Sequence, residues 1–294
     1  MNLHSSIRQA APRPQLRVGF LLAHNFTLSA LALFIDALRL AADEGDRSRP
    51  IHCSWAVLSA RGEPVRSSCG VSVSPTAPLL DPTNFDYVVV VGGLLHSGEQ
   101  MERPALDYLR GAANAGIPLI GVCTGSFILS RAGLMKGRRT CVSWYHFADF
   151  ESEFPDQTPD ADRLFIVDRD RITCAGGSGV ADLAAHLIET HVGAAAAQKS
   201  LHVLQLQNAR AGSDSQPHSG PGPAGDERVR RAILVMEQHV AEPLPIEAIA
   251  GKLRLSTRQL ERLSTTRSRS VPRRPIGACG CAMHDGFWRP RAKA

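Results

Sequence analysis

The chain has 294 residues, 44% of them hydrophobic and 21% charged, which is ordinary for a globular protein with room for two domains. No apolar run approaches the roughly 18 residues of a membrane span, the N-terminus lacks a signal-peptide core, and seven irregularly spaced cysteines argue against a disulfide framework. A cytoplasmic protein with no membrane association is expected.

Charge is unevenly placed. Residues 227–294 hold 14 Lys and Arg against 6 Asp and Glu, a net +8 that leaves −3 on the rest of a chain totalling +5. A small basic part joined to a mildly acidic larger one is the distribution of a nucleic-acid-binding module on a non-binding domain.

Residues 1–15 read as a disordered lead-in. From Leu16 the run LRVGFLLA predicts a buried strand, and Ser29 to Ala42 places Leu31, Phe34, Ile35 and Leu38 on one helical face. Strands follow at His52–Leu58, Val71–Val73 and Tyr87–Val91, the last with the continuous apolar character of a central parallel strand, ended by Gly92-Gly93. A helix is expected over Met101–Ala115. The stretch Ile117–Gly137, IPLIGVCTGSFILSRAGLMKG, then reads as a buried strand turning abruptly into a helix, with Cys123 at the turn. A cysteine held there, beside the first free N–H groups of a helix, has its thiolate favoured. Beyond it come a short strand at Thr140–Val142, a helix over Trp144–Phe154, a hairpin from Arg163–Asp168 and Arg171–Cys174, and helices over Val180–Val192 and Ala194–Ala209. Alternation of this kind predicts an α/β domain, a parallel sheet covered by helices on both faces, over residues 16–210.

Residues 211–226, AGSDSQPHSGPGPAGD, are Gly-, Pro- and Ser-rich without apolar period and read as a linker. A helix is expected over Glu227–His239. Pro245 then opens another, with Ile246, Ile249, Ala250 and Leu253 on one face. After a tight turn at Arg254-Leu255, Ser256 can cap a helix over Thr257–Leu263 that carries Arg258 and Arg262 outward. Two short helices joined this way satisfy the requirements of a helix-turn-helix, a small all-α domain at residues 227–263.

These segments together carry a resemblance. The first strand and helix, VVVVGG, GVCTGSFILSRAGLMKG and ITCAGGSGVADLAAHLIE resemble the PfpI-type members of the class I glutamine-amidotransferase-like superfamily, whose sheet is flavodoxin-like. PLPIEAIAGKLRLSTRQLERL resembles the first helix-turn-helix of AraC/XylS regulators, and the two in this order resemble GlxA-type transcriptional regulators. In catalytic relatives of the first kind the elbow cysteine is contacted by an acid from the first helix, is served by a nearby His, and faces backbone N–H groups that stabilise an oxyanion. The resemblance puts Asp36 at the acid position. It also puts Thr124 after the cysteine where proteolytic members carry His, and Ser143 where others carry one, with His146 a turn further on.

A thiol without its general base forgoes about 10²- to 10⁴-fold in rate. The expected function is therefore regulation of transcription, through a homodimer whose PfpI-like domain senses a small molecule and catalyses nothing. An effector pocket of Asp36, Gly92, Gly93, Cys123, Thr124, Trp144 and His146, with N–H groups suited to a carboxylate, is expected. The resemblance implies an amino-acid-derived or quaternary-amine effector, and contact with operator DNA through Ser256, Thr257, Arg258, Glu261 and Arg262. The competing readings are a hydrolase or glyoxalase-like enzyme using Cys123, and a redox sensor built on its thiolate. No cofactor is called for. Cys279-Gly280-Cys281 with His284 lacks a fourth ligand, so no metal is expected.

After Leu263 the resemblance breaks off. Residues 264–294 have no apolar period and read as an aberrant, disordered tail where AraC-type domains carry a second helix-turn-helix. Read one nucleotide out of phase, however, Met283-His284 gives Ala, and with permissible codons Ile276 to Arg289 becomes YRRLRLRHARWLLA, the family's missing stretch. This points to a one-nucleotide frameshift at about Leu263-Ser264. Resequencing the gene there is expected to reveal one nucleotide gained or lost; a clean read in the present frame, with homologous loci diverging in the same way, would sink the idea.

Overall fold

The computed structural model describes residues 14–45, 47–217, 244–253 and 255–265, four further positions of a helix (Arg228, Ala232, Val235 and Met236), and the backbone of 281–284 and 287–290. Two compact units divide at Gln216/Pro217.

The first unit is built on a seven-stranded sheet that is parallel except for one edge strand. At its centre lie β1 (Leu16–Leu22), β6 (Tyr87–Val91) and β7 (Leu119–Val122), apolar except for Arg17 near the start of β1 because helices cover both faces. On one side β2 (Cys53–Ser59) and β5 (Ala77–Pro78) continue the parallel pairing. On the other, β11 (Arg171–Cys174) is parallel to β7, and β10 (Phe165–Asp168) closes the edge antiparallel to β11. Small pairs, β3 (Val65–Arg66) with β4 (Ser72–Val73) and β8 (Thr140–Cys141) with β9 (Pro159–Asp160), lie outside the sheet.

The helices α1 (Leu28–Ala42), α5 (Gly179–His191) and α6 (Ala194–Val203) bury one face of the sheet in a cluster that includes Phe20, Phe34, Val89, Ile120 and Leu183. The other face is covered by α2 (Arg103–Asn114) and α3 (Gly125–Arg131), with Val88, Val90, Leu109, Leu119 and Ile128 at its core. This is the α/β arrangement expected from the strand and helix pattern, in the flavodoxin-like form that the resemblance implies.

Three expectations need correction. The helix after Gly193 stops at Val203 rather than near Ala209, because Gln205 adopts a left-handed φ of 61° that turns the chain and folds Leu204 and Leu206 back onto the core. The linker begins later than composition suggests: residues 211–216 are bound to the sheet edge, where Gly212 O accepts from the N–H groups of Leu164 and Phe165 and Gln216 is 4% exposed. In the tail, expected to be unstructured, Cys281–His284 (β12) pairs antiparallel with Phe287–Pro290 (β13). Asp285-Gly286 between them is a two-residue hairpin signal. The expected helix over 227–239 lies largely outside the described residues.

In the second unit, α7 (Ile246–Lys252) and α8 (Thr257–Thr265) pack through Ile249, Ala250 and Leu260, supported by Ala232 and Val235. The N-terminus of α8 is closed reciprocally. Ser256 Oγ accepts from the Gln259 N–H at 3.2 Å, and Gln259 Oε1 accepts from the Ser256 N–H at 2.9 Å. Such a box satisfies two otherwise orphaned donors.

Candidate functional site

The site grows from the step out of β7. Cys123 has φ 56°, a left-handed backbone that a residue with a Cβ adopts only when its surroundings enforce it, at a cost of about 1–3 kcal/mol. Its N–H donates to Cys174 O at 3.1 Å, anchoring the turn to β11. Next to it, Thr124 Oγ1 accepts from the Gly93 N–H and donates to Gly93 O, both at 2.8 Å, so the elbow is stitched to the end of β6. The two loops lie so close that a Cβ on Gly92 would sit 2.1 Å from the Gly125 nitrogen, and one on Gly93 1.9 Å from Asn25 O. Only glycine fits either position.

The expected pocket residues divide into two groups. Gly92, Gly93, Cys123 and Thr124 meet at the elbow. The stretch Trp144–His146 forms a single 3-10 turn whose start is capped by Ser143 Oγ, which accepts from the Tyr145 N–H. His146 packs edge-on against Phe127 of α3, centroids 6.2 Å apart. The loop after β6, α3, and the two segments that flank this turn, Val142 before it and α4 (Phe147–Glu153) after it, share one apolar cluster of Leu95, Phe127, Val142 and Phe150, which brings His146 to the side of the elbow.

Asp36 does not belong to this group. It pairs with Arg39 at 3.3 Å, with its side chain 49% exposed. It lies nine positions along α1 from Thr27, about 13 Å at 1.5 Å per residue. The first turn of α1 contains no acid. The residue that does reach the thiol is Thr27, the N-cap of α1, whose Oγ1 is 3.3 Å from Cys123 Sγ. Nothing in the sequence pattern singled out Thr27, because the contact joins residues 96 positions apart.

The donors are also arranged differently from expectation. The Gly92 N–H is used by Val122 O and the Gly93 N–H by Thr124. Among the described residues, the N–H groups of Thr124, Gly125 and Ser126 have no acceptor within the chain, as the start of a helix requires. Thr124 is buried and its hydroxyl is fully engaged, so it holds the elbow and cannot face a ligand. His146 Nδ1 lies 3.0 Å from Asp149 Oδ2, which orients the ring, and Ser143 is occupied as a cap.

The other described thiols sit in different surroundings. Burial pushes the Cys53 and Cys174 thiols up to about 12 and raises Cys141 as well. Cys69 is exposed in the β3–β4 turn, and the Ser67 hydroxyl, 3.3 Å from its sulfur, lowers its pKa. Among the described residues no cluster of three or more His, Cys, Asp or Glu could hold a metal ion, and no helix is long and apolar enough to cross a membrane. A separate groove of about 660 Å³ runs between β10, α5 and residues 209–213, lined by Arg139, Arg163, Phe165, His186, Glu189 and Arg210; none of the expected pocket residues lines it.

Comparison with known proteins gives a consistent result. Residues 16–190 match the DJ-1/PfpI family. The HTH-type transcriptional regulator GbdR of Pseudomonas aeruginosa is 32% identical over 248 residues, 84% of this chain, and the chain spans 66% of that protein's length. Isonitrile hydratase of Pseudomonas putida is 30% identical over 225 residues, covering 74% of this chain and 90% of the enzyme. The crystal structure of an AraC family transcriptional regulator from Pseudomonas putida superposes with a TM-score of 0.54 at 26% identity, covering 64% of this chain and 99% of that one.

Alkylation with iodoacetamide at pH 7.5, read by mass spectrometry, is expected to modify Cys69 first and to leave Cys53, Cys141 and Cys174 untouched until the chain is unfolded. Modification of Cys174 in the folded protein at a rate comparable to Cys69 would contradict the assignment.

Proposed function

The chain belongs to the DJ-1/PfpI family, and from that premise we propose that it is a DNA-binding transcription regulator of the AraC family, GlxA type, whose family domain senses a small molecule and does not turn it over. The observation that carries the reading is the capped helix pair α7 and α8, joined in one chain to a family domain. On α8, Arg258 and Arg262 are exposed and Glu261 half-exposed, at i, i+3 and i+4 spacing on one face. A helix presented in this way enters the major groove with such side chains against base edges, Ser256 and Thr257 lying at its leading end. The similarity to GbdR extends past the family domain, which supports the same assignment.

Isonitrile hydratase is a catalytic relative, so the enzyme reading needs a physical answer. In this chain the group within reach of Cys123 is the Thr27 hydroxyl, which cannot act as a base near neutral pH. The half-exposed Cys123, Trp144 and His146 then form the wall of a binding site, with the buried Gly92 and Gly93 holding the elbow behind them. An effector with a carboxylate, amino-acid-derived or a quaternary amine, suits it. The protein works as a homodimer on operator DNA.

Purified protein is expected to show no turnover of isonitrile, amide or methylglyoxal substrates above a Cys123→Ala control; robust activity lost in that control would overturn the sensor reading. On DNA, the helix pair α7 and α8 taken alone should bind in the range of about 10⁻⁴ to 10⁻⁶ M at physiological salt. At low salt, Arg258→Ala should relax the preference at one base position, costing about 1–3 kcal/mol against the wrong base. Equal weakening on all sequences would instead place Arg258 on phosphate.

A further inference from the structure

The segment that leaves the sheet for the second unit is polar, yet it is held along its whole length. Arg210 binds buried Asp182 through its own N–H at 2.8 Å and through Nη2 at 2.6 Å. Gly212 O and Asp214 O accept from the Leu164 N–H, Ser215 bridges to Arg163, and the Gln216 N–H donates to Asp162 O at 2.9 Å. The strap therefore runs antiparallel beside residues 162–165 as an irregular extra strand on the edge of the sheet.

Its last residue does something different. Gln216 turns its side chain inward, where Oε1 accepts from the Trp144 N–H at 3.0 Å and Nε2 donates to Val142 O at 2.9 Å and to Arg163 O at 2.8 Å. An amide has one acceptor end and one donor end, so a single orientation meets one N–H and two carbonyls at once. Two of these groups, the Trp144 N–H and Val142 O, stand at the start of the Trp144–His146 turn, the wall beside the elbow; the third, Arg163 O, belongs to the segment leading into β10. The next residue, Pro217, opens the second unit.

We propose that Gln216 is a positioning residue that couples the Trp144–His146 wall to the chain entering the DNA-binding unit, so that a ligand displacing this turn must move or release the strap. The proposal rests on the reading of Trp144 and His146 as a pocket wall. Inside the protein the bonds are mutually dependent. If the turn shifts, Gln216 loses the Trp144 N–H and Val142 O, and in its buried position it has little water to replace them. Two arrangements follow, strap seated or strap released, and a ligand selects between them in proportion to its differential affinity.

Hydrogen–deuterium exchange on the full chain tests the coupling without any ligand. In Gln216→Ala, peptides covering residues 142–146 and 162–165 should exchange about tenfold faster together with those covering 211–217, as when several local bonds open as one unit. Gln216→Glu keeps the size but turns an oxygen towards two carbonyls, and should give the same pattern. Peptides covering 119–131 should be unchanged in both, which shows that the fold is intact. Faster exchange confined to 211–217, or wild-type exchange in the glutamate variant, would overturn the proposal. The pocket reading has its own test: a thermal-shift screen of the unmodified chain against free amino acids and trimethylammonium carboxylates, in which no shift would sink the sensor and leave the exchange result standing.

Discussion

The left-handed turn at Cys123 is the constraint from which the rest of the site follows. An L-residue at φ 56° is strained, and it stays there because neighbours on every side fix the backbone. The Cys123 N–H is held by β11, the Thr124 hydroxyl closes a two-way pair with Gly93, and α3 starts at once with a glycine that lets it lie against β6. The product of this strain is a half-exposed cysteine between the buried Val122 and Thr124. The turn by itself only presents the thiol. What stands opposite the thiol decides the chemistry, and here that is Thr27.

The second dependence is on the sheet edge. An open edge strand would invite pairing with other chains. This chain covers the start of β10 with its own residues 212–216, using backbone carbonyls and the side chain of Gln216 in place of a regular ladder. The same covering ties the exit of the family domain to the Trp144 turn, so protecting the edge and linking the two parts of the protein are one structural feature.

The second unit depends on local chemistry to a greater degree. Two short helices bury few apolar groups, and their geometry is set by the reciprocal cap at Ser256 and Gln259 and by the contact of Leu260 with Ile249 and Ala250. Each of these devices acts within about a dozen residues, which is why the pattern of the chain alone was enough to place them.

The sequence by itself determined the order of elements, the parallel sheet, the elbow at Cys123 and the helix pair of the second unit, because hydrophobic period, glycine pairs and caps act over short separations. Tertiary structure decided the rest of the site. Asp36 has the right residue type on the right helix, but its rise along α1 carries it out of reach. Thr27, with no motif to mark it, arrives at the sulfur because β1 and β7 share a sheet. Composition assigned residues 211–216 to a linker, since polar residues without period cannot bury themselves on their own account. They are nonetheless ordered, because backbone groups left unpaired at the edge of a distant strand satisfy them, and such pairing carries no signature along the chain.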